Sequence, residues 1–70
     1  MAEVRAEMVA NVWKVLVSEG AHVDDGDTLV ILESMKMEIP VLAETAGVIT
    51  KLHVAEGDVV QEDELIAEIG

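Results

Sequence analysis

Apolar side chains in this chain recur at alternate positions or in short runs, and turn-forming pairs cut the runs apart. The runs are VWKVLV (12–17), TLVIL (28–32), IPVLA (39–43), VITKLHV (48–54) and ELIAEI (64–69), and the breaks are Glu19-Gly20, Asp25-Gly26, Ala46-Gly47 and Glu56-Gly57. A period of two over such short runs marks half-buried strands, and no stretch between breaks holds a period near 3.6 long enough for a stable helix. The pattern predicts an all-β chain of about eight short strands. No linker or low-complexity segment interrupts it, so residues 1–70 are read as one domain.

The pattern also repeats. Shifted by 37 positions, Val12-Trp13-Lys14-Val15-Leu16-Val17-Ser18-Glu19-Gly20 lies over Ile49-Thr50-Lys51-Leu52-His53-Val54-Ala55-Glu56-Gly57, Val23 over Val60 and Leu32 over Ile69. Neither strand-turn-strand unit can bury its apolar face alone, so the two copies predict a pseudo-twofold pair of small sheets packed face to face. In this register Lys36 has no counterpart, because its partner position falls beyond Gly70. The chain ends are therefore expected to lie beside each other, at the far end from Lys36. Strands of about five residues make that separation on the order of 20–30 Å.

One turn breaks the local rules. In ESMKMEIP (33–40) the two-residue loop between strands is Met35-Lys36, where a primed turn favours Asn-Gly or Asp-Gly. Rules are broken most often at functional sites, which singles out Lys36. A tight hairpin gives a rigid projection, and lysine adds a long stem ending in a primary amine. Strain at the loop is tolerable where the strands on both sides determine it. Across the loop, Ser34 is expected opposite Met37, Glu33 opposite Glu38, Leu32 opposite Ile39 and Val30 opposite Val41, with Leu32 and Val30 facing between the sheets. Met35 and Met37 then form an adaptable contact surface.

Composition narrows the chemistry. Half the chain is apolar, but Trp13 is its one aromatic residue, which suits thin layers of branched side chains. There is no cysteine, which removes disulfides, thiolate metal sites and a Cys nucleophile. A net charge of −11 with only four Lys and Arg argues against nucleic acid, since phosphate binding draws on basic side chains. The acidic residues are spread, as on solubilising outer faces. No run approaches the ~20 apolar residues that span a bilayer, and MAEVRAEMVA lacks the basic and apolar parts of a signal peptide. The expectation is a soluble, monomeric, cytoplasmic protein.

The remaining polar residues are read plainly. Lys14 and Lys51 occupy repeat-related strand positions, as edge or outer-face lysines. His22 and His53 stand alone, without ligands at metal spacing. Asp24-Asp25-Gly26-Asp27 lacks the bidentate Glu of a calcium loop and is read as a turn. No nucleophile, base and oxyanion donor can be assembled, so no catalytic residue is assigned.

Glu33-Ser34-Met35-Lys36-Met37-Glu38 resembles the Met-Lys-Met attachment motif of biotinyl domains, and VWKVLVSEG, GDTLVILES and AGVITKLHVAEGDVV are similar to the rest of that domain. The likeness covers nearly the whole chain and is nearest to free-standing bacterial biotin/lipoyl attachment proteins. It implies a flattened barrel, or barrel-sandwich hybrid, of two four-stranded antiparallel sheets. It implies biotin joined by an amide to Lys36 by a biotin protein ligase, with Glu33, Met35 and Met37 helping recognition. The cofactor would ferry a carboxyl group between a biotin carboxylase and a carboxyltransferase.

Two departures from the family pattern bear on this expectation. Ala10 stands where many relatives carry Gly, which leaves the tightness of a first turn there in question. The segment 17–29 is too short for the protruding thumb of some bacterial carriers, so the cofactor is expected to be solvent-exposed. The alternatives are a lipoyl carrier at the same lysine, whose tip would more usually read Asp-Lys, and an unmodified interaction module.

Overall fold

The computed structural model describes residues 2–70. Its strands are β1 (Ala2–Arg5), β2 (Ala10–Val15), β3 (His22–Val23), β4 (Thr28–Ser34), β5 (Met37–Leu42), β6 (Gly47–Leu52), β7 (Val59–Val60) and β8 (Leu65–Ile69). They form two four-stranded antiparallel sheets, in the orders β1-β8-β6-β3 and β5-β4-β2-β7. Together they make a flattened barrel 31 Å long and 17 Å across. The all-β expectation holds. The two-residue strands β3 and β7 were not among the apolar runs, because two residues are too short to display a period.

The repeat is written through the whole molecule. Shifted by 37, β2 becomes β6, β3 becomes β7, and β4 becomes β8, so the first sheet maps onto the second. Each sheet draws strands from both halves of the chain, and neither half can form its sheet alone. The glutamates that coincide in the repeat explain themselves here. Glu56 Oε2 accepts a hydrogen bond from the Val15 amide and Glu19 Oε2 accepts one from Leu52, each at 3.1 Å, so each half satisfies the other's backbone. The Gly20 and Gly57 amides, at φ 91° and 95°, donate to the carbonyls of Ile49 and Val12 at 2.8 and 2.9 Å.

Between the sheets, Val12, Leu29, Val30, Leu32, Ile49, Val60 and Ile66 are fully buried, and no buried polar side chain accompanies them among the described residues. The core is a dry layer of branched aliphatic side chains, held by area rather than by specific polar links. Ile39 and Val41 are only half-buried, because β5 is an edge strand. With β1, the edge strand of the other sheet, β5 borders a groove of about 320 Å³ whose walls include Val4, Met8, Ile39 and Val41.

At the chain ends, Ala2 lies opposite Ile69, and this pair is the counterpart of Ile39 opposite Leu32. The open ends of β1 and β8 thus correspond to the hairpin that β4 and β5 close. The expectation for Met1 lies outside the described residues.

Two readings of the sequence are corrected. Ala46-Gly47 is not a left-handed turn, since Gly47 begins β6 and is absent from the positive-φ positions. A Cβ there would stand 2.7 Å from Ile69 Cγ2 and 2.9 Å from the Gly70 carbonyl oxygen, so space, not φ, demands glycine. Ala10 likewise marks no turn but opens β2 as a buried residue. The residue related to Ile69 is Leu32, which has no methyl on its Cβ, and the alanine methyl is accommodated. Lys14 and Lys51 are exposed on β2 and β6 beyond the short stretches that β7 and β3 pair, so each has a paired strand on one side only, in keeping with the edge or outer-face reading.

Candidate functional site: the hairpin tip

The hairpin begins in the core. Leu32 and Val30 of β4 are almost wholly buried, and each has its β5 partner on the same face: Leu32 opposite Ile39 and Val30 opposite Val41. A slip of one residue would turn both side chains to water and bring Glu33 inward, so burial pins the register. Counting outward from that anchor, Glu33 faces Glu38, Ser34 faces Met37, and two residues remain for the loop. The pairing matches the expected one throughout.

Those two residues, Met35 and Lys36, have φ values of 52° and 66°. Two successive left-handed residues make a type I′ turn, whose twist fits the twist of the flanking strands. For non-glycine residues this conformation costs roughly 1–2 kcal/mol each, because Cβ crowds the following carbonyl. The strain inferred from the sequence is therefore present, and the buried part of the hairpin holds it.

The turn puts all four proposed site residues at one end of the sheet. Met35 is 93% exposed and Met37 64%. Glu33 and Lys36 are also exposed, and the Lys36 amine has no hydrogen-bond or salt-bridge partner among the described residues. Its nearest acidic neighbours in sequence, Glu33 and Glu38, face each other across the strands and leave the lysine unpaired. Like charges directly opposite are mildly destabilising, a second local cost at the tip. The amine is thus presented free, on a rigid base, with polarizable methionines on either side.

Asn11 belongs to this end of the sheet and was not singled out in the sequence. It lies opposite Glu33 from β2 and is exposed, with Val59 of β7 as its other neighbour. The repeat carried the signal: Asn11 stands where the second half has Val48, a polar residue in an otherwise matching stretch.

The other candidates lie away from the tip. His53, just after β6, has its Nε2 2.8 Å from Oε2 of Glu68 on the neighbouring β8, in the sheet that lacks Lys36, and His22 is exposed on β3. No group of three or more His, Cys, Asp and Glu side chains gathers among the described residues. Asp24 to Asp27 close a turn in which the Asp27 amide donates to the Asp24 carbonyl at 3.0 Å and the Asp24 amide donates to Asp27 Oδ2 at 2.8 Å. The same reciprocal pair recurs between Gln61 and Glu64.

Known proteins resemble this chain in sequence and in fold. The chain is 61% identical over 70 residues to a "Biotinylated protein TB7.3 homolog" of Mycobacterium leprae (strain TN), covering 99% of each chain. It is 41% identical over 66 residues to a "Biotin/lipoyl attachment protein" of Bacillus subtilis (strain 168), covering 94% of this chain and 90% of the relative. In three dimensions it superposes on part of the Kluyveromyces lactis urea carboxylase crystal structure with a TM-score of 0.91 and 33% identity, covering 99% of this chain and 6% of that one. The sequence model of the biotin/lipoyl family, described as "Biotin-requiring enzyme", matches residues 2–69, and with the whole folded barrel inside that match the chain belongs to the biotin/lipoyl attachment family.

Proposed function

We propose that this chain is a biotin carrier, that biotin is joined by an amide to Lys36, and that the loaded chain serves a biotin carboxylase and a carboxyltransferase in turn. The observation that carries the site is the free Lys36 amine on a left-handed two-residue turn, a strained position that packing holds in place. The carrier role is supported by the family match, by a relative named as biotinylated, and by the superposition on part of a urea carboxylase.

The residues present fit the group. An exposed primary amine without a partner is open to acylation, and nothing at the tip encloses it. In the attachment step the Lys36 ammonium gives up a proton, the freed amine nitrogen forms a bond to the activated biotin carboxyl carbon, the activating group leaves, and the nitrogen gives up a second proton. Lysine's charge is lost and its four methylenes become a neutral tether. When bound, biotin supplies the atom that takes up and releases the carboxyl group. The chain supplies reach and rigidity: β4 and β5 hold the attachment point still while the arm beyond it turns freely. The chain performs no catalysis of its own. Glu33, Met35 and Met37 are the tip residues a biotin protein ligase meets first, and a cytoplasmic monomer suits its supply of ATP.

The test is intact mass after incubation with a bacterial biotin ligase, biotin and ATP. One biotin is expected on the wild type and on Lys14→Arg and Lys51→Arg, and none on Lys36→Arg, which keeps the charge but loses the primary amine. Label on the Lys36 variant would sink the assignment. A lipoyl group in place of biotin on protein from the native host would move the reading to a lipoyl carrier.

A further inference from the structure

The twofold repeat allows each outer face to be compared with its own counterpart, and the two faces differ. On the sheet that carries Lys36, the outward positions Trp13, Leu16, Ile31, Pro40 and Leu42 form a mostly apolar patch across β2, β4 and β5, with Lys14 opposite Ile31 and its amine 5.5 Å from the centre of the Trp13 ring. Shifted by 37, the same positions on the other sheet are Thr50, His53, Glu68, Glu3 and Arg5. There the side chains satisfy one another: Arg5 pairs with Glu3 at 2.9 Å and His53 with Glu68 at 2.8 Å. Every large apolar side chain that is well exposed among the described residues lies on the Lys36 sheet or on the loops that continue its strands, and the opposite sheet has none. Val48, the counterpart of Asn11, and Leu65, the counterpart of Thr28, are the reversals, and both are half-buried. One backbone is thus dressed with a polar face that suits water and an apolar face that does not.

We propose that this apolar face is the docking surface for the enzyme that acylates Lys36. The inference rests on the carrier reading above and extends it from the tip to the body of the sheet. Reach is the first argument. An enzyme acting on the lysine amine must bring its reacting carbon within a side chain's length of the backbone, roughly 6 Å for a four-methylene stem, so its surface is forced against the protein around the hairpin. Enzymes that act at the far end of the attached arm can stand further off. Continuity is the second. The patch lies on the same strands as the tip, about 13 Å from Lys36 at Pro40, with Glu33, Glu38 and the exposed methionines between. Charge is the third. A net charge of −11 on each copy opposes self-association, whereas an enzyme with an apolar centre and basic groups facing Glu33 and Glu38 complements this face.

The experiment measures ligase kinetics on the whole chain with a bacterial biotin ligase. Trp13→Ser with Leu42→Ser, and separately Leu16→Ser, remove exposed apolar side chains and leave the buried core intact. A far-ultraviolet melt confirms the fold of each. Loss of docking remote from the reacting atoms raises KM with kcat preserved, and a central Trp at an interface supports an increase of about tenfold for the double variant. Thr50→Ser with His53→Ser, at the positions on the other sheet related to Trp13 and Leu16, is expected to leave KM unchanged. An unchanged KM in folded patch variants overturns the proposal. So does a dimer of the free protein that the same changes dissociate, which would assign the face to a second copy. A wild-type chain that takes no biotin brings down the carrier reading first, and this proposal with it.

Discussion

Replacing Met35-Lys36 by Asn-Gly is expected to stabilise the domain while removing its function. The two residues sit at φ 52° and 66°, where an L residue other than Asn or Asp pays roughly 1–2 kcal/mol. Asn tolerates this region through its short polar side chain, and Gly meets no Cβ penalty, although Gly loses about 0.5–1 kcal/mol through its freer unfolded state. Summed over both positions the gain is on the order of 1–2 kcal/mol. For a chain of this size each kcal/mol moves the melting midpoint by about 4–8 °C, so the change is well within reach of a thermal or urea melt followed by circular dichroism. Met35→Asn alone keeps the amine and is expected to show about half the gain with biotin still attached. A double variant no more stable than the wild type would refute the strain argument. It would mean that the register and burial of β4 and β5 do not force the turn, and that its unusual composition has no structural cost to explain.

Further predictions concern the frame behind the tip. Leu32→Ala removes a side chain only 1% exposed at the centre of the core and is expected to cost about 2–5 kcal/mol in urea titration; a loss below about 1 kcal/mol would contradict the pairing with Ile39. Gly47→Ala is expected to destabilise by roughly 1–3 kcal/mol through overpacking against the β-branched Ile69, whereas Ala10→Gly at the related place costs only about 0.5–1 kcal/mol. Equal effects at the two sites would rule out the steric account. Asp63, at φ 68°, occupies the repeat position of Gly26 at φ 93°, so Asp63→Gly is expected to leave stability unchanged or raise it by up to about 1 kcal/mol, read as a shift in the melting midpoint.

The class of fold, its internal twofold and the identity of the exceptional turn were all legible in the order of residues. A period of two states which side chains face inward, and the coincidence of Glu19 with Glu56 and of Gly20 with Gly57 states that two units are alike. Lys36 was legible because a poor turn pair stood where the flanking strands left no alternative. Those properties are local, or are comparisons of local patterns. What the sequence did not determine is which strand lies beside which. Alternation is blind to neighbours, since any inward-facing strand can pair with any other, and pairing depends on hydrogen bonds between residues far apart in the chain. Only the tertiary structure therefore interleaves the two halves, secures the two-residue strands β3 and β7, and turns Gly47 from a turn residue into a packing one. The outer patch is the same case. Trp13 and Leu16, Ile31, and Pro40 and Leu42 sit in three separate runs of sequence and read there as ordinary strand residues; the order β5-β4-β2 brings them onto one surface, and the comparison with Thr50, His53, Glu68, Glu3 and Arg5 shows that this surface is the more apolar of the two.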